Sequence, residues 1–444
     1  MSIPNQTATD FIIDARYILP VSSSGEDNLL ENYSLVVVAG KILDLLPTDD
    51  VADQYAELPR VALKHHLVTP GLVNAHTHSP MNLLRGYADD LPLSTWLEQH
   101  IWPAEARWVD EEFVRDGSRL AMAEMIKGGV TCFSDMYFFP EITATTAVEV
   151  GIRAMLGMIV VEFPSAWAAG ADEYFSKGLA LADQIKGIDT LHAALAPHAP
   201  YTVGDDSLAR IAILSAELDL PVHIHLHETA NEIVESTQQY DQRPLARLDR
   251  LGLVNNQLMA VHMTQLLDQE IALLAARGSH VIHCPESNMK LASGFCPVAD
   301  LLAHGVNVAI GTDSAASNND LDMLSEMRTA ALVAKAVSGN AAAVNAAQAL
   351  RMATLNGAKA MGIDDITGSL DLGKSADIVA FDLDSIECAP LYHPASQLVY
   401  AMDRHRVSDV WVAGKRVLEQ RELVTIDEQE LMHRAQQWQK KIGE

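Results

Sequence analysis

The chain has 444 residues, 49% hydrophobic and 20% charged, enough to bury a large core as two or three average domains or as one barrel with an appendage. Its 31 basic and 59 acidic residues leave a formal charge of −28, which argues against the basic surface that nucleic acid or an anionic membrane needs. No run approaches the roughly 20 apolar residues of a membrane span, and the start, Met1 to Thr9, lacks the basic and apolar parts of a secretory signal.

The four cysteines (Cys132, Cys284, Cys296, Cys388) form no Cys-x-x-Cys pair, so neither a zinc ribbon nor a redox motif is present. Buried thiols in a reducing compartment, and hence a cytoplasmic enzyme, are the expectation. The His-x-Glu and Pro-Cys-x-x-Cys signature of one class of zinc deaminase is also missing.

Along the chain, Tyr33–Pro47 reads as a hairpin turning at Val38-Ala39-Gly40-Lys41. Eight short apolar runs follow: Val73–His78, Val130–Asp135, Arg153–Val161, His192–His198, Val222–His227, Leu258–His262, His280–Cys284 and Val306–Asp313. Such runs fit parallel strands covered on both faces. Helix-like segments separate them, among them Asp110–Lys127, Ser207–Leu218, Asp268–Ala276 and Leu321–Val337. Strand then helix, eight times over, is the pattern of an α/β fold, the (β/α)8 TIM-type barrel. The Ala-rich stretch Ala342–Gly362 is expected to close the barrel. Ser375–Leu383 supplies a further strand, and Val407–Leu418 repeats the hairpin with Val412-Ala413-Gly414-Lys415. Both termini are expected to meet in a small β-sandwich, residues 1–69 with 370–444, beside a barrel of residues 70–369.

Catalytic groups of such barrels sit at the C-terminal ends of the strands. There the first run closes on His76-Thr77-His78, the fifth on His225-Leu226-His227-Glu228, the sixth on His262 and the last on Asp313. Side chains alternate along a strand, so His76 and His78 share a face. With His225 and Asp313 they supply the nitrogen and carboxylate donors that zinc takes in a catalytic site. His223, His225 and His227 also share a face; His223 lies a layer deeper and His227 beyond the strand end, which leaves His225 as the best ligand.

In a zinc site the bound water is acidified toward neutrality. Asp313 is placed to take its proton as general base. His262 is placed to hydrogen-bond the attacking hydroxide or the developing oxyanion. Glu228, three residues past a ligand, overhangs the site and can protonate a ring nitrogen while hydroxide attacks the adjacent carbon. That chemistry suits hydrolytic deamination of an amino-substituted heteroaromatic ring, with Glu228 and Asp313 both touching the substrate.

Several stretches resemble the amidohydrolase superfamily, and within it the 5'-methylthioadenosine/S-adenosylhomocysteine deaminases. They are Pro70-Gly71-Leu72-Val73-Asn74-Ala75-His76-Thr77-His78, Gly128-Gly129-Val130-Thr131, His225-Leu226-His227-Glu228-Thr229, His283-Cys284-Pro285-Glu286-Ser287-Asn288-Met289-Lys290-Leu291, Gly311-Thr312-Asp313 and Asp371-Leu372-Gly373-Lys374-Ser375-Ala376-Asp377. The resemblance runs from about Asp10 to Leu423. It implies one zinc per subunit on His76, His78, His225 and Asp313, a proton-shuttling Glu228 and a water-assisting His262. It also implies a ribose-binding carboxylate at Glu105, a purine-contacting imidazole at His198, and a homo-oligomer. A carboxylate can accept from a vicinal diol, and an imidazole can meet a purine ring nitrogen.

Members that take S-adenosylhomocysteine need a partner for its carboxylate, most simply Arg. Arg85 and Arg153 lie near site-forming segments, but Arg153 begins a strand, at the end away from catalysis. Trp96, Trp102, Met136 and Tyr137 are candidates to line an apolar pocket for a methylthio group. The alternatives are deamination of a free purine or pterin base (guanine-type), triazine hydrolysis on the same site, and a metal-free barrel serving as a scaffold.

Overall fold

The computed structural model describes residues 10–25, 28–51 and 55–444; the polar start, residues 1–9, lies outside the described residues. All eight expected runs form parallel strands of one sheet: β1 (Leu72–Thr77), β2 (Val130–Met136), β3 (Arg153–Val160), β4 (Leu191–Pro197), β5 (Val222–Leu226), β6 (Leu258–His262), β7 (His280–His283) and β8 (Asn307–Ile310). Each hydrogen-bonds to the next in chain order. Every residue of β2 and of β3 is buried, which is why these segments read as continuous apolar runs rather than alternating ones.

The barrel is drawn together between β8 and β1 just above the last ladder bonds. Asp313 N–H donates to the His76 carbonyl at 3.0 Å, and the Asn74 side chain brackets Thr312 through bonds of 2.8 and 3.0 Å. Gly311 makes this closure possible, because a Cβ there would sit 2.7 Å from the His76 backbone nitrogen.

The Ala-rich stretch resolves into two short helices, Ala346–Met352 and Leu355–Ala360, interrupted by Thr354, whose φ of −136° is not helical. The second helix and its exit pack Ala358, Ala360, Met361 and Ile363 against Val73, Cys132, Met155 and Met259, filling the barrel interior away from the site. Four of the expected helices are present as Glu111–Lys127, Asp205–Leu218, Asp268–Arg277 and Met323–Ser338. Among the described residues, no helix is long and apolar enough to cross a membrane.

Both termini contribute to a second eight-stranded sheet. Phe11–Ile18, Leu30–Val38, Lys41–Pro47 and Arg60–Pro70 join Ile378–Asp382, Val407–Val412, Lys415–Glu419 and Glu422–Leu423. Arg60–Pro70 is the seam, parallel to Phe11–Ile18 and antiparallel to Ile378–Asp382. The sheet wraps a core of its own that includes Phe11, Ile13, Leu35, Val37, Ile378 and Trp411. The two repeated hairpins turn on Ala39-Gly40 and Ala413-Gly414, all four at positive φ, the geometry of a tight two-residue turn. Their tips stack so closely that a Cβ on Gly414 would lie 2.6 Å from the Gly40 Cα. Arg153 ties this sheet to the bottom of the barrel through Asp377 (2.9 Å), Ser375 and the Asp189 carbonyl, so its role is structural. The closing helix, Glu428–Gly443, lies on Glu111–Lys127, where Trp438 Nε1–H donates to Asp116 at 2.8 Å.

Candidate active site

The ends of β1, β5 and β8 bring His76, His78, His225 and Asp313 together, with one donor atom from each lying within 4.8 Å of all the others. Asp313 Oδ1 is 3.3 Å from His76 Nε2 and 3.2 Å from His78 Nε2, and His225 Nε2 is 3.2 and 3.3 Å from the same two nitrogens. The opposite edge of each ring is anchored. His78 Nδ1–H donates to the Met136 carbonyl and His225 Nδ1–H to the His198 carbonyl, both at 2.6 Å. These bonds fix the tautomer and aim the Nε2 lone pairs at a common point, the outer-shell arrangement of a metal-ligating histidine.

His223 completes the same logic for His76. His76 Nδ1 lies 2.8 Å from His223 Nε2, and His223 Nδ1 lies 3.3 Å from Ser134 Oγ. With His76 Nε2 free to ligate, the protons run from His76 Nδ1 to His223 and from His223 to Ser134. His227 turns away, accepting from Leu245 N–H at 3.0 Å. Of the three histidines on this strand face, His225 alone joins the cluster. Burial pushes His76 down to about 4 and His225 well below its usual value, so both rings are neutral. Burial opposes charge on His78 and Asp313 too, but their mutual contact outweighs it, raising the former and lowering the latter. Three lone-pair nitrogens and a carboxylate oxygen converging on one point are a donor set that fits zinc.

Around the cluster stand the remaining residues of interest. Glu228 is 4% exposed and 3.8 Å from His262 Nε2; burial raises its pKa. His262 Nδ1 lies 2.8 Å from Asn288 Oδ1. His198 Nδ1 lies 3.0 Å from Thr202 Oγ1, and burial pushes the ring down to about 3, so it is neutral. Glu105 accepts from the Tyr137 hydroxyl at 2.6 Å and is pushed up to about 7 by burial. All of these except Thr202 and Asn288 line one cavity with His78, His225 and Asp313.

Glu105 reaches that cavity from an unusual helix. Leu97–Ile101 is a single π-turn leading into Trp102–Trp108. Pro103 explains it, since it has no N–H to bond four residues back and its ring crowds that carbonyl. Trp96, Trp102, Met136 and Tyr137 line the cavity as well, and among its described lining residues none is Lys or Arg. Arg85 instead pairs with Glu124.

Some functional neighbours carried no signal in the sequence reading. Ser287 and Ser317 donate to Asp313 Oδ2 at 2.6 and 2.8 Å. Thr264 holds the Glu228 carbonyl at 2.6 Å. Glu232 accepts the backbone N–H groups of His227 and Glu228 at 3.0 and 2.7 Å, and burial pushes it up to about 8. A signal for Glu232 did exist: Thr229-Ala230-Asn231-Glu232 is the Thr-x-x-Glu pattern of a helix start, and Thr229 does cap Ala230–Tyr240.

A (β/α)8 barrel with a mononuclear His/His/His/Asp centre at its C-terminal rim defines a metal-dependent hydrolase. The chain belongs to the amidohydrolase family, whose model matches residues 67–417, and within it to the 5-methylthioadenosine/S-adenosylhomocysteine deaminase family. It is 50% identical to the protein of that name from Teredinibacter turnerae over 99% of each chain, and 48% identical to that from Saccharophagus degradans over 99% of this chain and 98% of the other. A solved adenosine deaminase from Xanthomonas campestris with bound zinc is 52% identical, with 98% of each chain covered and a TM-score of 0.95. The atrazine chlorohydrolase of Arthrobacter aurescens shares the fold (TM-score 0.90, 96% of this chain and 99% of the other) at 22% identity.

Proposed function

We propose that this enzyme is a zinc-dependent hydrolytic deaminase that converts the 6-amino group of 5'-methylthioadenosine, S-adenosylhomocysteine or adenosine to 6-oxo with release of ammonia. The observation that carries the reading is a single cavity lined by His78, His225 and Asp313 of the ligand cluster together with the buried acid Glu228 and the carboxyl Glu105. His76, His78, His225 and Asp313 would hold one zinc, which when bound supplies a water acidic enough to lose a proton at neutral pH. Asp313 takes that proton. Glu228 gives its own proton to the ring nitrogen as the oxygen adds to the adjacent carbon. Asp313 then passes the proton it took to the amino group, which leaves as ammonia, and Glu228 regains a proton from the added hydroxyl as the 6-oxo group forms. His198 meets the purine ring, and Glu105 accepts from the ribose diol.

Trp96, Trp102, Met136 and Tyr137 support an apolar 5'-substituent, and among its described lining residues the cavity offers no Arg or Lys to a homocysteine carboxylate. The expected order of kcat/KM is therefore 5'-methylthioadenosine above S-adenosylhomocysteine. Ammonia release measured on these two, adenosine, adenine, guanine and a chlorotriazine tests the reading. Turnover confined to the nucleosides supports it; turnover only of a free base or triazine overturns the roles of Glu105 and His198.

Glu105 makes a sharper prediction. Glu105→Gln removes a charged acceptor, with an expected loss of about 1.5–3 kcal/mol in kcat/KM, roughly 10- to 100-fold, for ribonucleosides. Because burial sets this carboxyl to about 7, KM of the native enzyme should fall as pH rises through that value and the carboxylate forms. A 2',3'-dideoxynucleoside should show neither effect, and equal losses on both substrates would contradict the diol contact.

The same reading divides the chain into residues 1–69 with 370–444 and a barrel of residues 70–369, the closing helix reaching across to the barrel. Four unpaired, buried cysteines suit a cytoplasmic setting, and a homo-oligomer is expected from the family resemblance.

A further inference from the structure

We infer that Ser287 and Asn288, adjacent residues on the short helix after β7, are positioning residues that hold the two groups meeting the attacking water: Ser287 holds Asp313 and Asn288 holds His262. The inference rests on the deaminase reading above. β7 lies between β6 and β8 in the sheet, so a helix leaving its end can reach both neighbours. Helix Pro285–Lys290 does so with consecutive side chains about 100° apart around its axis. Ser287 and Asn288 are each 1% exposed.

On the β8 side, Ser287 Oγ–H and Ser317 Oγ–H both donate to Asp313 Oδ2, at 2.6 and 2.8 Å. Oδ2 is thereby occupied on the face away from the histidines, and Oδ1 is turned to His76 and His78. Two hydroxyl donors on one oxygen lock the carboxylate plane and decide which oxygen faces the metal ligands. Asp313 sits at φ 63°, a backbone conformation in which a non-Gly residue benefits from such external anchoring.

On the β6 side, Asn288 presents Oδ1 to His262 Nδ1 at 2.8 Å. An amide oxygen only accepts, so Nδ1 carries the proton. In the neutral ring Nε2 is then a lone-pair acceptor facing Glu228 and the cluster. It can take a hydrogen bond from the attacking water, and it becomes a donor only when the ring is protonated. This refines the sequence-based role of His262, which left donor and acceptor open. Asn288 Nδ2 is buried and has no hydrogen-bond partner among the described residues, so the amide is held on its oxygen side alone.

Two variants and one spectrum test this on the zinc-loaded protein. Asn288→Leu should lower kcat about 10- to 100-fold, the usual effect of removing an outer-shell partner, with KM and zinc content nearly unchanged. Asn288→Asp should recover most of the loss because a carboxylate still accepts from Nδ1–H. Ser287→Ala should lose zinc to a chelator about 10-fold more readily than the native protein. Equal kcat in the Leu and Asp variants, or native zinc retention in Ser287→Ala, overturns the inference. Should a variant fail to fold, the 15N spectrum of histidine-labelled native protein decides. The His262 signal, identified by its loss in His262→Gln, should report a proton on Nδ1; a proton on Nε2 alone overturns the Asn288 role. The spectrum and the zinc readout need no substrate, so they stand apart from the substrate panel that tests the deaminase reading itself.

Discussion

Glu228→Gln is expected to lower kcat for nucleoside deamination by about 10²–10⁴-fold, the range for removal of a positioned general acid. KM should scarcely move, because Gln keeps the shape and a hydrogen-bond donor at the same place. The loss arises from the proton itself. Glu228 is 4% exposed, and burial raises its pKa, which favours the neutral, proton-bearing form. A raised carboxyl holds its proton below its folded pKa and gives it up as pH rises through that value. The native enzyme should therefore lose kcat on the alkaline side, and the residual activity of Glu228→Gln should lack that limb. Steady-state kinetics across pH check both statements. A Gln variant with native kcat would assign the proton donor elsewhere.

The second large effect concerns the ligand cluster. Asp313→Ala or His225→Ala should leave the protein with little zinc and cost several kcal/mol of barrier, about 10³-fold or more in kcat. Asp313 Oδ1 is the one carboxylate donor among three imidazoles, and it touches both His76 and His78. His225 closes the other side at 3.2 and 3.3 Å. Metal analysis alongside ammonia release separates loss of zinc from loss of a proton acceptor. Stoichiometric zinc in both variants would exclude this ligand set.

These effects fall on residues visible in the sequence for a simple reason. Ligands must stand at strand ends, and buried parallel strands are apolar throughout, so a His or Asp closing such a run stands out. The end of β8 shows where that reasoning stops. The apolar run suggests a strand to Asp313, whereas the ladder ends at Ile310 and Gly311-Thr312-Asp313 bends to bond β1. Thr354 similarly divides a stretch that composition alone reads as one helical segment.

Ser287, Ser317 and Asn288 were not legible as functional. Ser287 and Asn288 stand on a six-residue helix too short to show a period. Their partners are each 26 residues away, brought close only by the pairing of neighbouring strands, while Ser317 reaches Asp313 across a local turn of four residues. The apolar wall was legible residue by residue, but Pro103 and its π-turn decide that Trp102 and Glu105 reach the cavity. A metal-free scaffold has no use for three histidines whose outer nitrogens are each committed to a partner.

The most direct test is a zinc titration of chelator-stripped protein with 5'-methylthioadenosine as substrate, following conversion of the 6-amino to the 6-oxo product together with ammonia. Activity should rise in proportion to zinc and level off at one ion per subunit. Full deamination by the stripped protein, or zinc binding at that stoichiometry with the amino group left intact, would contradict the account.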